Sequence, residues 1–355
     1  MAIEILERVL PYISGLWTLP WILIGFVVTI ALSKVVDRSK IDNVMKKIGL
    51  ILLFFFVPPL LFRIFLNVNF GEKETEFTFV VVSTLIFMYL LAYVFAIYKV
   101  RKHGIKGSAR DTAIKTILTN QGRSAAFVGG AMLAIEAWRV PAAIYMSLVG
   151  IALFAIIPHI LSTMHKRNIK EKNATEIKAL PWYLRIYPWY LLSFVIAAIL
   201  IHGFTGITTR DLGDFGTILT FYTAVTIPAA LYYVGASIHP HDLKIDEMKN
   251  LFSLKRVRDS KMHWFLVRNI FFLTMILTPI SISTLFGFLL TLGLIPKEWF
   301  AVIVLNAILP ITSTNMFLVP YGIDKKSTAL SVTWTTIVAV PLLVLLINVF
   351  AYFFT

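Results

Sequence analysis

Apolar runs long enough to cross a hydrocarbon core of about 30 Å recur from one end of the chain to the other, with no long polar stretch between them. They fall near residues 12–33, 47–66, 77–98, 112–134, 141–164, 183–204, 215–237, 264–291, 299–320 and 328–353. In hydrocarbon every backbone N–H and C=O must find a partner within the protein, so the runs predict an all-α integral membrane protein of ten transmembrane helices. Composition agrees, with 58% of residues hydrophobic and 15% charged, where soluble domains hold about 45–50% and about 25%. A soluble enzyme, a tail-anchored domain and a disordered regulator are excluded.

The chain has 33 Lys and Arg against 19 Asp and Glu, a formal charge of +14. The basic residues concentrate in the loops after odd-numbered runs: Lys34 to Lys47, Lys99 to Lys115, Lys166 to Lys178, Lys244 to Lys261, and Lys325 with Lys326. The opposite loops hold only Arg8, Lys73, Arg139, Arg210 and Lys297. The positive-inside bias then places both termini outside, in a multi-pass protein of the cell membrane. These loops account for the positive charge without a nucleic acid partner, and membrane lipid is their expected contact, at about 1 kcal/mol per basic residue near an anionic surface. Glu4 and Glu7 stand where a signal peptide would be basic, so the chain is read as mature from residue 1. The Asn173-Ala174-Thr175 sequon falls on the inner side and is given no role.

With ten spans and an outside start, two halves of the same fold must be inverted repeats. The halves are read as 1–164 and 183–355, joined by a cytoplasmic linker at 165–182. Val57-Pro58-Pro59-Leu60-Leu61-Phe62 in span 2 echoes Ile227-Pro228-Ala229-Ala230-Leu231-Tyr232 in span 7, and Ser124-Ala125-Ala126-Phe127-Val128 can be laid on Thr314-Asn315-Met316-Phe317-Leu318.

Polar clusters interrupt the fourth and ninth runs. The first is Thr119-Asn120-Gln121-Gly122-Arg123-Ser124, followed by Gly129-Gly130; the second is Pro310-Ile311-Thr312-Ser313-Thr314-Asn315, followed by Pro320. Gly and Pro open the helical ladder while amides and hydroxyls satisfy freed backbone or a ligand, so both spans are expected to be broken helices that cross. Such breaks in corresponding places are how many secondary transporters build a substrate site. Arg123 has no acid at its depth, and either a substrate carboxylate, a set of carbonyls, or Glu136 or Asp214 would neutralise it. Pro58, Pro59 and Pro228 read as kinks. His159, His202, His239 and His241 read as solvated or packing residues, and no metal site is expected. Zero Cys excludes thiolate sites, and no HExxH, P-loop or nucleophile-elbow pattern occurs, so no enzymatic activity and no cofactor are expected.

The chain resembles the auxin efflux carrier family, ten-span transporters in a superfamily shared with the bile acid:sodium symporters. The likeness lies in Arg38-Ser39-Lys40-Ile41-Asp42 leading to Phe56-Val57-Pro58-Pro59-Leu60-Leu61-Phe62, in Ile227 to Ser237, in Ile308-Leu309-Pro310-Ile311-Thr312-Ser313-Thr314-Asn315, in Tyr321-Gly322-Ile323-Asp324 and in Ser331 to Pro341. The resemblance implies spans 4 and 9 crossing at their breaks, a scaffold of spans 1, 2, 6 and 7, a transport domain of the others, and elevator-like alternating access. It also implies organic anions as substrates, in agreement with Arg123. The sequence departs from the family at the span 4 break: Asn120 is followed by Ala125, Ser124 precedes Gly129 by five, and Ala131 replaces a Pro. This leaves Asn120 and Ser124 as alternatives for the binding position. The acid of the symporters' sodium site in span 9 is absent.

The expected function is therefore secondary transport of a small organic anion, an auxin-like or other carboxylate, through a site of Asn120, Gln121, Arg123, Ser124, Pro310, Thr312, Thr314 and Asn315. The alternatives are a sodium-coupled symporter of amphipathic anions and a non-transporting membrane sensor. Elevator scaffolds often dimerise, so a homodimer is among the expected partners.

Overall fold

The computed structural model describes residues 20–68, 70–124, 132–133, 135–161, 163–164, 182–236, 262–312, 315, 318–319 and 321–354. Helix accounts for 86% of the structure and there is no strand among the described residues. The helices are α1 (Trp21–Ser33), α2 (Arg38–Ile51), α3 (Val57–Leu66), α4 (Glu72–Lys102), α5 (Gly107–Thr119), α6 (Arg139–Ile151), α7 (Trp182–Thr205), α8 (Gly213–Ala236), α9 (Met262–Phe272), α10 (Thr278–Thr291), α11 (Lys297–Ile308) and α12 (Lys325–Phe354). Trp182, placed in the linker by the sequence pattern, begins α7, and the rest of that expected linker lies outside the described residues.

Four helical segments among the described residues are long and apolar enough to cross a membrane: Ser39–Leu66, Glu72–Lys102, His263–Thr291 and Lys325–Phe353. Trp189–Thr205 and Thr209–Thr226, joined at a 90° bend, make a fifth if taken as one span. Helices α5 and α11 have 13 and 12 residues, about 20 Å each at 1.5 Å per residue, and neither crosses a bilayer alone.

Among the described residues three π-helical turns interrupt helices, at Leu52–Phe56, Ala152–Ile156 and Leu273–Leu277. In each, the next amide reaches back five residues: Val57 to Leu52, Ile157 to Ala152 and Thr278 to Leu273. The residue after that amide is in every case a proline: Pro58, Pro158 and Pro279. A proline ring clashes with the carbonyl one turn back and brings no N–H, so a widened turn before it relieves the clash and leaves a carbonyl without a helical donor. At Pro58 and Pro59 the stranded carbonyls are those of Phe54 and Phe55. Tyr190 of α7 donates its hydroxyl to Phe54 O at 3.0 Å, and Tyr222 of α8 donates to Phe55 O at 2.6 Å. The kink read from sequence is thus also a docking point, with Phe56 stacked on Tyr222 at 5.0 Å between ring centroids.

Packing separates the helices into two groups. In one, α1 lies along α8, and α3 packs on α7 and α8. Gly25 permits the α1–α8 approach: a Cβ there would sit 2.1 Å from the Tyr232 carbonyl oxygen. The other group joins α4 to α5 and α6, α10 to α11, and α12 to α9 and α11. The groups meet along a seam where α6 and its following turn pack on α3 and α7.

If Tyr190 and Tyr222 cap the proline-freed carbonyls, Tyr190→Phe and Tyr222→Phe should each lower unfolding stability in detergent by about 1 kcal/mol. A pair of variants as stable as the parent contradicts this role.

Candidate functional site

Helix α5 ends where its last amides tighten to three-residue spacing, Gln121 N to Leu118 O at 3.2 Å and Gly122 N to Thr119 O at 3.1 Å. Helix α11 must stop before Pro310, which brings no donor, and Leu309 N reaches Asn306 O at 3.4 Å. Past these ends the two chains extend and pair antiparallel, with Arg123 opposite Ile311. Ser124 N donates to Pro310 O at 2.9 Å and Thr312 N to Gly122 O at 3.1 Å. Ile311 N donates to Thr335 Oγ1 of α12 at 3.2 Å. Each break supplies the partners that the other lost, which is what lets two non-helical segments lie buried.

Arg123 is 2% exposed. Its Nη1 donates to Leu309 O at 3.3 Å, and its Nη2 donates to Thr274 O at 3.1 Å and Gln121 Oε1 at 3.4 Å. Among the described residues carbonyls hold this cation, and there is a physical reason for each. Leu309 caps the C-terminal end of α11, where the helix dipole is negative. Thr274 lies in the π turn before Pro279, and in five-residue register its carbonyl would have taken the amide that Pro279 does not have. Gln121 is fixed in turn, its Nε2 donating to Met88 O at 3.0 Å and to Thr278 Oγ1 at 2.8 Å. The guanidinium thereby clamps α5, α11 and the α9–α10 turn together.

The other side of the crossing is less satisfied. Asn120 Nδ2 donates to Thr116 O at 2.8 Å and to Thr328 Oγ1 of α12 at 3.1 Å, while its Oδ1 has no partner among the described residues. Asn315, 0% exposed, has both side-chain atoms without partners among the described residues. Thr119 Oγ1, Ser331 Oγ, Asn306 Oδ1 and Arg123 Nε are unpartnered in the same sense. Asn315 lies against the backbone at Gly122, where an added Cβ would be 3.0 Å from its Oδ1 and 2.4 Å from Leu153 Cδ2. Native proteins leave few buried polar atoms unpaired, and most of those found among the described residues lie on α5, α11, α12 or the crossing between them.

Of the residues expected from sequence, Asn120, Gln121, Arg123, Ser124, Pro310, Thr312 and Asn315 are buried here. Thr314 lies outside the described residues, as do Ser313, Gly129, Gly130 and Pro320. Ser124, Pro310 and Thr312 contribute backbone to the crossing. Sequence reasoning did not single out Ser327, Ser331 and Thr335, whose hydroxyls recur every fourth residue on α12 and are all buried, nor the buried Thr328 beside them. His202 is half-buried, its Nδ1 3.0 Å from Ile207 O. No group of three or more potential metal ligands of the His, Cys, Asp or Glu type occurs among the described residues.

Arg123→Met should destabilise the protein by about 2–4 kcal/mol, since it leaves the Leu309 and Thr274 carbonyls buried and unpaired. Arg123→Lys, keeping the charge and part of the bonding, should cost less. Chemical unfolding in detergent checks both, and a Met variant of parental stability contradicts the clamp. The chain matches no protein-family model and no curated protein.

Proposed function

We propose that the protein is a secondary transporter of a small organic anion, an auxin-like or other carboxylate, working by elevator-type alternating access across the cell membrane. In this reading the chain has ten spans in two inverted five-helix repeats, with both termini outside. The observation that carries it is the crossing of two helix breaks around Asn315, whose buried amide has no partner among the described residues. A buried amide left unpaired costs about 1–3 kcal/mol, and a ligand that pairs it recovers that cost. Arg123 supplies positive charge at the crossing, and its Nε and the Asn315 Nδ2 are donors suited to a carboxylate. The antiparallel meeting of α5 and α11 is what an inverted repeat would produce, and the division into two helix groups gives an elevator its fixed and moving parts.

A sodium-coupled version of the same carrier is favoured by one observation: Thr119 Oγ1, Asn120 Oδ1 and Asn306 Oδ1 are buried oxygens without partners among the described residues, and oxygens of this kind suit a hard cation.

Thermal unfolding of the purified protein with benzoate, indole-3-acetate or taurocholate, each in sodium and in choline buffer, tests both versions. At least one carboxylate should raise the unfolding temperature. Asn315→Ala should keep or exceed the parent's stability without ligand and lose that rise, because it removes an unpaired amide along with the ligand's partner. A rise that survives Asn315→Ala places the ligand elsewhere. A rise confined to sodium buffer selects the coupled version, and an equal rise in choline rejects it.

A further inference from the structure

Where α4, α6 and α11 begin, the three helices leave a cavity of about 190 Å³ between them, room for about six waters at about 30 Å³ each. It lies at the end of α4 opposite Lys99, Arg101 and Lys102. Its floor is apolar: Phe77 of α4 and Trp299 of α11 are buried with their ring centroids 5.0 Å apart, and the buried Ile144 of α6 lines the same space. Its rim is charged, with Glu74 and Glu298 half-buried and Lys73 exposed. An acid in the first turn of a helix is ordinary, and Glu74 serves that purpose, its Oε2 accepting the Gly71 N–H at 2.9 Å. Glu298 has no such use. The N-cap of α11 is Pro296, which brings no N–H for a capping acid to accept. No described residue donates to the Glu298 carboxylate, and Lys73 forms no ion pair with either acid among the described residues.

A half-buried carboxylate over an aromatic floor lacks one kind of partner, a cation with an apolar body. An ammonium there can donate to Glu298 while its carbons pack on the Phe77 and Trp299 rings, and such rings attract cations in their own right. Pockets for drug-sized ligands hold about 300–1,000 Å³, so the guest of this one is smaller. A carboxylate of the kind proposed for the crossing would meet two like charges here, so the two places take different ligands. We propose that this cavity binds the ammonium group of a small amphipathic amine, free or as the head group of an amino lipid, with Glu298 as its counter-ion and Phe77 and Trp299 as its floor. The cavity belongs to the helix group that contains the crossing, and α11 runs from Glu298 to the Leu309 cap whose carbonyl holds Arg123. An occupied cavity therefore fixes the start of the helix whose end makes the crossing. The site does not rest on the carrier reading.

Isothermal titration of the purified full chain in nonionic detergent with phenethylammonium chloride, at fixed ionic strength, tests the site. Binding should be saturable, and phenethyl alcohol, which has the same body without the charge, should bind about tenfold more weakly. Glu298→Gln should weaken phenethylammonium binding about tenfold, and Lys73→Gln, which removes the opposing charge, should tighten it about threefold. A general loss of structure would not give opposite signs at two residues of one rim. No saturable binding, equal binding of the alcohol and the ammonium, or binding unchanged in Glu298→Gln overturns the site. Phosphatidylethanolamine added to the detergent then identifies the source. If it raises the unfolding temperature of the parent but not of Glu298→Gln, the ammonium is a lipid head group; if it raises both equally while phenethylammonium still binds only the parent tightly, the ammonium is a free amine. Either result upholds the site.

Discussion

A membrane interior offers no water to backbone groups, and this protein buries two segments that are not helical. Everything at the centre of the molecule depends on how they are satisfied. Gly122 with Ser124, and Pro310 with Thr312, exchange two hydrogen bonds, and Thr335 takes the amide of Ile311. Each break answers the unpaired backbone of the other, so α5 and α11 hold one another in place, and their C-terminal ends converge on one spot.

That convergence explains how a guanidinium is tolerated with no acid beside it. Arg123 sees the negative end of α11 through Leu309 and a carbonyl that Pro279 leaves free through Thr274. The same proline device recurs in α2–α3, where Pro58 and Pro59 expose carbonyls that Tyr190 and Tyr222 take up. Pro58, Pro59 and Pro279 therefore fasten as well as bend: each frees an acceptor, and the acceptor is used to dock a neighbour. The amide of Asn315 is the contrast, since it sits in the same crossing with nothing in the described structure to bond.

Much of this was legible in the residues, because the signals were local. Hydrophobic runs located the helical segments, and Gly122 and Pro310 announced where the ladder opens. The partners of Arg123 were not legible. Thr274 lies 151 residues away in sequence, and its carbonyl is free only because a π turn and Pro279 coincide there. The tyrosine caps on Phe54 and Phe55 were hidden for the same reason, since periodicity describes one helix at a time and says nothing about which neighbour covers a freed carbonyl. The division of labour at the breaks was also beyond the sequence: Ser124 and Thr312 look like ligand groups by type, yet their amides serve the crossing itself.

If the crossing binds a ligand that passes through the membrane, the protein must support counterflow. Sealed vesicles containing the purified protein and loaded with unlabelled indole-3-acetate or benzoate are placed in a trace of the labelled compound. Label should accumulate transiently above its external concentration, and protein-free vesicles should show no such overshoot. Saturable binding of label with no overshoot would contradict the carrier account and leave a membrane sensor in its place.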